Sequence, residues 1–279
     1  PIVRTDAAFA LAQMPAESVP AERLLQTLRY ERDETMQRYL IATLGKTGDA
    51  ASLRALLDLG LPPSRHADVA LALAHYGMRG VTDSTATTWL AKRLTAPDAW
   101  TRRNAAYAFG RVDTLALGRA DSIRQALDDY DSDDPAAMHL TRALGTVGDT
   151  TDVGRLVDWL RNGTDWRTRV NATRTLGALP PTDAARSALI QALKDPQPLV
   201  QRTAADALAA FDWPAATRTA VNIWIDAHPN RWRIIAPLLQ GFARNGQSKR
   251  VLRTVEEWNE ERSAIAYAAV LPALAPLDT

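Results

Sequence analysis

The strongest constraint on the fold of this chain is a repeat with a period near 33 residues. A short element of the Ala-Leu-Gly type, with a large apolar residue at its centre, marks each copy. Neighbouring markers are 29 to 36 residues apart. Nine copies in 279 residues mean that one structural unit, repeated along the chain, determines the whole fold. The markers are Leu11, Leu44, Leu73, Phe109, Leu144, Leu176, Leu208, Phe242 and Leu274.

Each copy predicts a pair of helices. Met36, Leu40, Ile41 and Leu44 stand at i, i+4, i+5 and i+8, which is one apolar stripe of a 3.6-residue helix. A similar stripe at 24–28 precedes it, and no segment of the chain alternates with the period of two that strands need. We therefore predict an all-α fold, an α-solenoid of eight to nine helix hairpins, with residues 1–279 forming a single domain.

Glycine and aspartate mark the boundaries between repeats. The sequence G-K-T-G-D ends at Asp49 and G-T-V-G-D ends at Asp149. We expect Gly48 and Gly148 to adopt the left-handed conformation that often follows a helix, because a Cβ is unfavourable there. Asp49 and Asp149 would then cap the next helix by accepting hydrogen bonds from its free N–H groups.

Three stretches resemble HEAT repeats, in particular the bacterial kind related to phycocyanobilin-lyase-like repeats. They are V-Q-R-T-A-A-D-A-L-A at 200–209, T-R-R-N-A-A-Y-A-F-G-R-V-D at 101–113 and L-T-R-A-L-G-T-V-G-D at 140–149. The resemblance extends over essentially the whole chain. It implies helix pairs stacked into a curved rod, with the second helix of each pair on the concave face, and it says almost nothing about a ligand.

The two ends of the repeat array have no polar cap of the kind that a solenoid end needs. Ala7, Ala8 and Leu11 belong to a second helix whose first helix is missing from the sequence. We therefore expect the 279 residues to be a segment of a longer chain, or another element to cover the end. The same observation raises one alternative function, in which the repeats form the helical arm of a larger enzyme such as a cyclophilin-type prolyl isomerase.

Composition and motifs favour a non-catalytic chain. Cysteine is absent, which excludes disulfides, thiolate metal sites and cysteine nucleophiles within these residues. The four histidines lie in different repeats without metal-type spacing, and no nucleophile motif is present. We expect no enzymatic activity, no metal and no cofactor in these residues. No apolar run approaches the ~18 residues of a membrane span, so no membrane partner is expected.

An acidic run, D-D-Y-D-S-D-D at 128–134, has the alternating aspartates of a calcium loop at Asp129, Asp131 and Asp133. The central glycine of such a loop is missing, and the twelfth position is Leu140 instead of glutamate. We interpret the run as solvated charge that caps a helix.

Tryptophans occur in pairs in alternate repeats, and arginines follow the second member of each pair. The pairs are Trp89 with Trp100, Trp159 with Trp166, and Trp224 with Trp232. In one interpretation each pair fastens its own hairpin, and the arginines bond backbone groups or aspartate across repeats. In the other, the clusters form a binding strip for an acidic peptide or nucleic acid. The candidate residues of the strip are Trp100, Arg102, Arg103, Trp166, Arg167, Arg169, Trp232 and Arg233.

The predicted function is a protein-interaction scaffold that binds a protein or peptide on the concave face. Candidate contact residues on the second helices, besides Arg103, are Tyr107, Arg142, Arg174, Gln201 and Gln240. A further alternative is a nucleic-acid-binding protein of the DNA glycosylase kind, because 161–253 carries 12 Arg and 2 Lys against 6 Asp. The preceding segment 113–158 has 10 Asp against 4 Arg, and the whole chain has a net charge of only +1, which argues against a dedicated nucleic-acid binder.

Overall fold

A computed structural model describes residues 6, 7, 9, 10, 13, 20–131 and 134–256, and all regular structure in these residues is helical. The chain divides into two compact units, Pro1–Val147 and Gly148–Thr279, which are described separately. No helix in the described part of the chain is both long enough and apolar enough to cross a bilayer. The expectation of a single domain over 1–279 stays a prediction.

In unit 1 the helices from residue 21 to residue 147 form pairs. Its first helices are α1 (Ala21–Tyr30), α3 (Ala50–Asp58), α5 (Ser84–Ala91) and α8 (Ala120–Asp128), and its second helices are α2 (Glu34–Thr47), α4 (His66–Met78), α6 (Ala99–Arg111) and α9 (Pro135–Val147). The short helix α7 (Asp113–Ala116) follows α6, and a 3₁₀ turn, Pro63–Arg65, precedes α4.

Unit 2, residues 148–279, has the same organisation. After a 3₁₀ turn at Thr150–Asp152, its first helices are α10 (Val153–Asn162), α12 (Asp183–Ala192), α14 (Ala215–Ala227) and α16 (Ser248–Glu256). Its second helices are α11 (Trp166–Ala178), α13 (Pro198–Ala209) and α15 (Trp232–Arg244).

Within each unit the second helices pack on one another in chain order, α2 on α4, α4 on α6 and α6 on α9 in unit 1, and α11 on α13 and α13 on α15 in unit 2. All seven marker residues that the structure describes are buried. Leu11 and Leu274 lie outside the described residues. The predicted all-α, α-solenoid architecture is confirmed, because within each unit the periodic apolar residues are buried between neighbouring helices.

The glycine of the Ala-Leu-Gly element permits close packing of neighbouring second helices. A Cβ added to Gly45 in α2 would lie 2.7 Å from the Cα of Ala72 in α4. A Cβ on Gly110 in α6 would lie 2.5 Å from the carbonyl oxygen of His139 in α9. Real Cβ atoms do not approach other atoms so closely, so the small residue sets the distance between the helices.

The predicted caps at Asp49 and Asp149 are confirmed, since each accepts a hydrogen bond from the N–H of a residue in the following turn. The prediction for Gly48 is wrong, because its φ of −71° is not left-handed. Gly48 is needed for space instead, as a Cβ there would overlap the hydroxyl of Tyr76. Gly148 is also not among the left-handed glycines of the described residues.

Candidate functional site

Three tryptophans lie in the first turn of a second helix, and each has an arginine guanidinium over its ring. A cation placed within about 6 Å of an aromatic ring centroid is attracted by the negative face of the ring. The arginine is three residues later in unit 1 and one residue later in unit 2. The pairs are Trp100–Arg103 at 5.3 Å, Trp166–Arg167 at 4.8 Å and Trp232–Arg233 at 5.0 Å.

Trp100 is the most exposed of the three, with 63% of its surface accessible. It lines a cavity of about 700 Å³ in unit 1 whose polar lining residues include Arg38, Asp68, Asp98 and Asn104. Burial raises the pKa of Asp68, against the opposing effect of nearby arginines. Hydrogen bonding from Thr101, whose backbone N–H donates to the carboxylate at 2.7 Å, lowers the pKa of Asp98. Two carboxylates and one guanidinium give this cavity no excess of positive charge.

Arg169 has a structural role in unit 2. Its guanidinium forms two hydrogen bonds with the carboxylate of Asp195 in the next repeat, at 2.8 and 3.1 Å. It also donates to the carbonyl oxygens of Gly163 and Thr164, in the loop before its own helix. The fold therefore uses the donors of Arg169, and we leave it out of the binding surface.

Arg102 occupies the same place in unit 1. It donates to the carbonyl oxygens of Ala96 and Pro97 and lies 3.6 Å from the carboxylate of Asp134 in the next repeat. The interpretation that such arginines bond backbone groups and aspartate across repeats is confirmed for Arg102 and Arg169. We leave Arg102 out of the binding surface for the same reason.

Gln201 occupies the position in its repeat that Arg102 and Arg169 occupy in theirs. It stands seven residues before its marker Leu208, as Arg102 and Arg169 stand before theirs. Gln201 was predicted to be a contact residue, but only 8% of its surface is accessible. Its side-chain nitrogen donates to the carbonyl oxygen of Asp195, and its side-chain oxygen accepts from Arg231. Its helix position points it into the contact with the next repeat, so Gln201 orients Arg231 instead of offering an open surface.

The structure brings Arg103, Tyr107 and Arg142 together around His139. The rings of Tyr107 in α6 and His139 in α9 meet edge to face at 5.2 Å. Arg103 and Arg111 stand one helical turn before and after Tyr107, and Arg142 stands one turn after His139.

The surroundings of His139 disfavour its protonation. Burial lowers the pKa of His139 to about 4, and the positive charges of Arg103, Arg111 and Arg142 add to this effect. In the described residues none of the three guanidinium groups has a carboxylate within ion-pair distance. The second-helix surface of unit 1 therefore carries exposed positive charge that the fold does not neutralise.

A second cavity, of about 360 Å³, lies in unit 2 between the first turns of α13 and α15. We call it the α13–α15 groove. Its apolar lining comes from Pro198, Leu199, Trp232 and Ile234, and its charged lining from Arg202, Arg231 and Arg233, with Asn230 beside them. Among the residues that the structure describes, no carboxylate lines the groove. It is the place where the candidate residues Trp232 and Arg233 meet other exposed side chains.

Two other candidates lie apart from these surfaces. Arg174 in α11 is exposed, and its guanidinium donates to the side-chain oxygen of Asn171 at 3.0 Å. Gln240 in α15 is half-buried, near the middle of its helix. Their part in binding stays a prediction.

The first tryptophan of each pair does not touch the second through its ring in the described residues. The ring of Trp89 has the guanidinium of Arg93 at 3.9 Å, and the ring of Trp224 stacks on His228 at 4.5 Å. The pairs therefore do not fasten their hairpins by ring-to-ring contact.

The acidic run lies partly outside the described residues, because Asp133 is not among them. Asp134 accepts a hydrogen bond from the N–H of Ala136 in the first turn of α9. This is the helix-capping role that the sequence predicts for the run. The part of the chain that the structure describes holds no cluster of three acidic or histidine side chains suited to a metal ion.

Sequence reasoning missed Arg111, His139, Leu199 and Arg231. Counting back from the marker could have found Arg231, because Asp33, Asp98 and Asp165 also stand eleven residues before their markers. Each of those aspartates caps its helix through a side-chain hydrogen bond, and Arg231 does not.

The fold of this chain is similar to that of proteins of known structure. The chain is similar to an engineered protein solved by the Northeast Structural Genomics Consortium, with 19% identity, a TM-score of 0.52, and coverage of 97% of this chain and 84% of that one. It is also similar to the complex of CpcE and CpcF of phycocyanin lyase from Nostoc sp. PCC7120, with 22% identity, a TM-score of 0.48, and coverage of 87% and 97%. A search of curated proteins finds no match. Residues 153–236 match the family described as HEAT repeats, and the segment is therefore similar to that family.

Proposed function

We propose that this chain is a non-enzymatic interaction scaffold that binds a protein partner on the surface of its second helices. One observation supports the proposal most. Arginines that have no carboxylate partner in the described residues stand beside aromatic rings on these helices, Arg103 beside Trp100 in unit 1 and Arg233 beside Trp232 in unit 2.

Aromatic and arginine side chains are enriched where proteins bind one another. Tryptophan, tyrosine and arginine dominate the residues whose removal weakens protein complexes most. Arg103 and Arg142 are exposed. Their charges cost little in the free chain and become favourable when a partner supplies carboxylates.

The chemistry of the surface favours a protein over a long polyanion. The net charge of the whole chain is +1, although its second helices carry arginines that have no carboxylate partner in the described residues. Many phosphate contacts need a domain that is basic overall, whereas a partner with local acidic side chains needs only local positive charge.

A selection experiment tests the proposal. A displayed library of random short peptides is selected against the chain, and the enriched peptides are then measured on a variant with Arg103→Ala, Arg142→Ala and Arg233→Ala. We expect enriched peptides that bind the variant at least tenfold more weakly, which is about 1.4 kcal/mol. The melting temperature of the variant should stay within about 2 °C, because changes at exposed sites have small effects on stability.

The matched control is Arg54→Ala, which removes an exposed arginine from the first helix α3, where it pairs with Asp83. This variant should bind the selected peptides as the unchanged chain does. Failure to enrich any peptide, or equal binding to the triple variant, would contradict the proposed function.

A further inference from the structure

The repeat pattern reverses its charge at one place, the N-terminus of α15. Asp33, Asp98 and Asp165 each cap a second helix from the position eleven residues before the marker. Arg231 holds that position before α15, and its side chain makes no capping hydrogen bond. An acidic cap stabilises a helix N-terminus because it offsets the partial positive charge of the free N–H groups. Arg231 adds positive charge instead.

A second change accompanies the first. In the two other repeats where the contact is seen, a guanidinium seven residues before the marker reaches an aspartate of the next repeat, Arg102 to Asp134 and Arg169 to Asp195. Before α15 the donor and the acceptor are exchanged. The residue seven before the marker is the neutral Gln201, and its side-chain oxygen accepts from the guanidinium of Arg231 in the next repeat at 3.2 Å. An arginine at position 201 would repel Arg231. The neutral side chain therefore permits the guanidinium of Arg231 to lie beside the α13–α15 groove.

In the described residues, two of the three arginines at the groove have no carboxylate as a counterion. Arg202 pairs with Asp206 at 3.1 Å and also donates to the carbonyl oxygen of Arg233. Within the described residues neither Arg231 nor Arg233 has a carboxylate within ion-pair distance. The N-termini of α13 and α15, neither of which has a side-chain cap, add partial positive charge at the same place.

The floor of the groove is apolar. Leu199, in the first turn of α13, is 47% exposed, and Pro198 and Trp232 stand beside it. The volume of about 360 Å³ lies at the lower end of the range of roughly 300–1,000 Å³ that is usual for binding pockets. The groove therefore suits one bulky apolar side chain, surrounded by cationic groups.

We propose that the α13–α15 groove binds a linear acidic peptide segment, with one large apolar side chain on Leu199 and Trp232 and flanking carboxylates on Arg231 and Arg233. The inference rests on the proposed function and adds to it the place and the chemistry of the partner. A carboxylate of the peptide takes the position that an aspartate cap holds before α2, α6 and α11, so the ligand completes the N-terminus of α15.

The substitution Arg231→Asp should have opposite effects on the stability of the chain and on its binding of peptide. In Arg231→Asp the new carboxylate can accept from the N–H of Arg233, as Asp165 accepts from that of Arg167 at 2.8 Å in α11. The variant should melt about 2 °C or more above the unchanged chain, because it regains a cap. It should also bind an acidic peptide at least tenfold more weakly, because the attraction at the groove becomes repulsion.

The test uses the full chain and four defined probes. The first is a synthetic peptide with one tryptophan between two runs of three glutamates. The second has lysines in place of the glutamates, the third has alanine in place of the tryptophan, and the fourth is a single-stranded DNA oligonucleotide. Binding is measured by calorimetry at two salt concentrations, since the contribution of the arginines should fall as salt rises.

The control variant is Arg161→Asp, which makes the same change of charge at an exposed position in the last turn of the first helix α10. We expect the glutamate peptide to bind the unchanged chain and Arg161→Asp alike, within about twofold, and to bind Arg231→Asp at least tenfold more weakly. The lysine and alanine peptides should bind more weakly than the glutamate peptide.

Three results would overturn the inference. The first is an equal loss of affinity for the glutamate peptide in Arg231→Asp and Arg161→Asp. The second is a lysine peptide that binds as well as the glutamate peptide. The third is an oligonucleotide that binds more tightly than either of these peptides. Peptides selected from a random library separate this inference from the proposed function. If these peptides still bind Arg231→Asp but bind the double variant Arg103→Ala with Arg142→Ala more weakly, the proposed groove is not the binding site and the scaffold function is retained. If no peptide is selected, the scaffold function itself is contradicted.

Discussion

The guanidinium of Arg231 donates to the side-chain oxygen of Gln201 over 3.2 Å. At the equivalent contact between two earlier pairs of repeats, an arginine forms an ion pair with an aspartate. Gln201 is in turn held by the carbonyl oxygen of Asp195, whose carboxylate receives Arg169. A continuous series of polar contacts therefore leads from α11 through the loop before α13 to the first turn of α15. It positions a positive charge at the edge of the α13–α15 groove.

Loss of Arg169 should destabilise the chain strongly. The side chains of Arg169 and Asp195 are only 13% and 9% accessible, so Arg169→Ala leaves a nearly buried carboxylate without its partner. The free energy of unfolding, measured by urea denaturation, should fall by about 3 kcal/mol. Arg167→Ala is the control, because Arg167 is exposed and lies 3.6 Å from Asp165, and it should cost less than about 1 kcal/mol. Equal effects of the two substitutions would show that Arg169 does not join the repeats.

Truncation of a marker residue should create a cavity. Leu144 is fully buried, and Leu144→Ala should lower the free energy of unfolding by roughly 2–5 kcal/mol. Leu117→Ala removes the same atoms from a side chain that is 59% exposed, so its cost should stay within about 0.5 kcal/mol. Urea midpoints of the two variants measure the difference. A cost below about 0.5 kcal/mol for Leu144→Ala would mean that the markers do not form the core.

Gly241 in α15 should tolerate no side chain. A Cβ there would lie 2.3 Å from Cζ2 of Trp213, a buried ring that also meets Phe242 edge to face at 4.9 Å. Gly241→Ala should destabilise by about 1–3 kcal/mol through overpacking. Gly154→Ala in α10 is the control, since nothing lies within 4 Å of its added Cβ, and it should be neutral or stabilising by up to about 1 kcal/mol. Thermal unfolding compares the two, and a stabilised Gly241→Ala would exclude the close contact with Trp213.

His139 should make stability depend on pH. Burial lowers its pKa from 6.5 to about 4, so between these values the unfolded chain binds a proton that the folded chain does not. Stability is therefore fully present above about pH 6.5 and falls as the pH drops towards 4, by at most about 3 kcal/mol.

The substitution His139→Phe keeps a ring against Tyr107 and removes this titration. We expect its melting temperature to change less between pH 7 and pH 5 than that of the unchanged chain. His66 and His75, whose pKa values burial also lowers, remain in the variant and leave part of the slope. Parallel curves for the two proteins would contradict the assignment to His139.

The fold could be predicted from the sequence because each repeat carries the same periodic apolar stripe, and seven marker residues at equivalent positions are all buried. Local backbone geometry was less predictable. Gly48 is required by the hydroxyl of Tyr76, which lies 28 residues further along the chain, and no local pattern indicates such a contact.

The candidate site could be predicted only in part. The tryptophans and their arginines were visible in the sequence as short motifs. The sequence alone did not distinguish Arg103 from Arg102. Adjacent positions on a helix face different directions, so Arg103 is exposed while Arg102 contacts Asp134 of the next repeat. Arg231 was missed because it stands at a position where other repeats have a capping aspartate. Only the alignment of the repeats on their markers reveals this difference.

The most direct test of the central claim is a nuclear magnetic resonance titration of the chain with the tryptophan-centred acidic peptide, with the side-chain N–H signal of Trp232 assigned by Trp232→Phe. We expect the signal of Trp232 to move most among the eight tryptophans, and the movement to be lost in Arg231→Asp and kept in Arg161→Asp. A titration that moves the signals of other tryptophans and leaves that of Trp232 unchanged would contradict it.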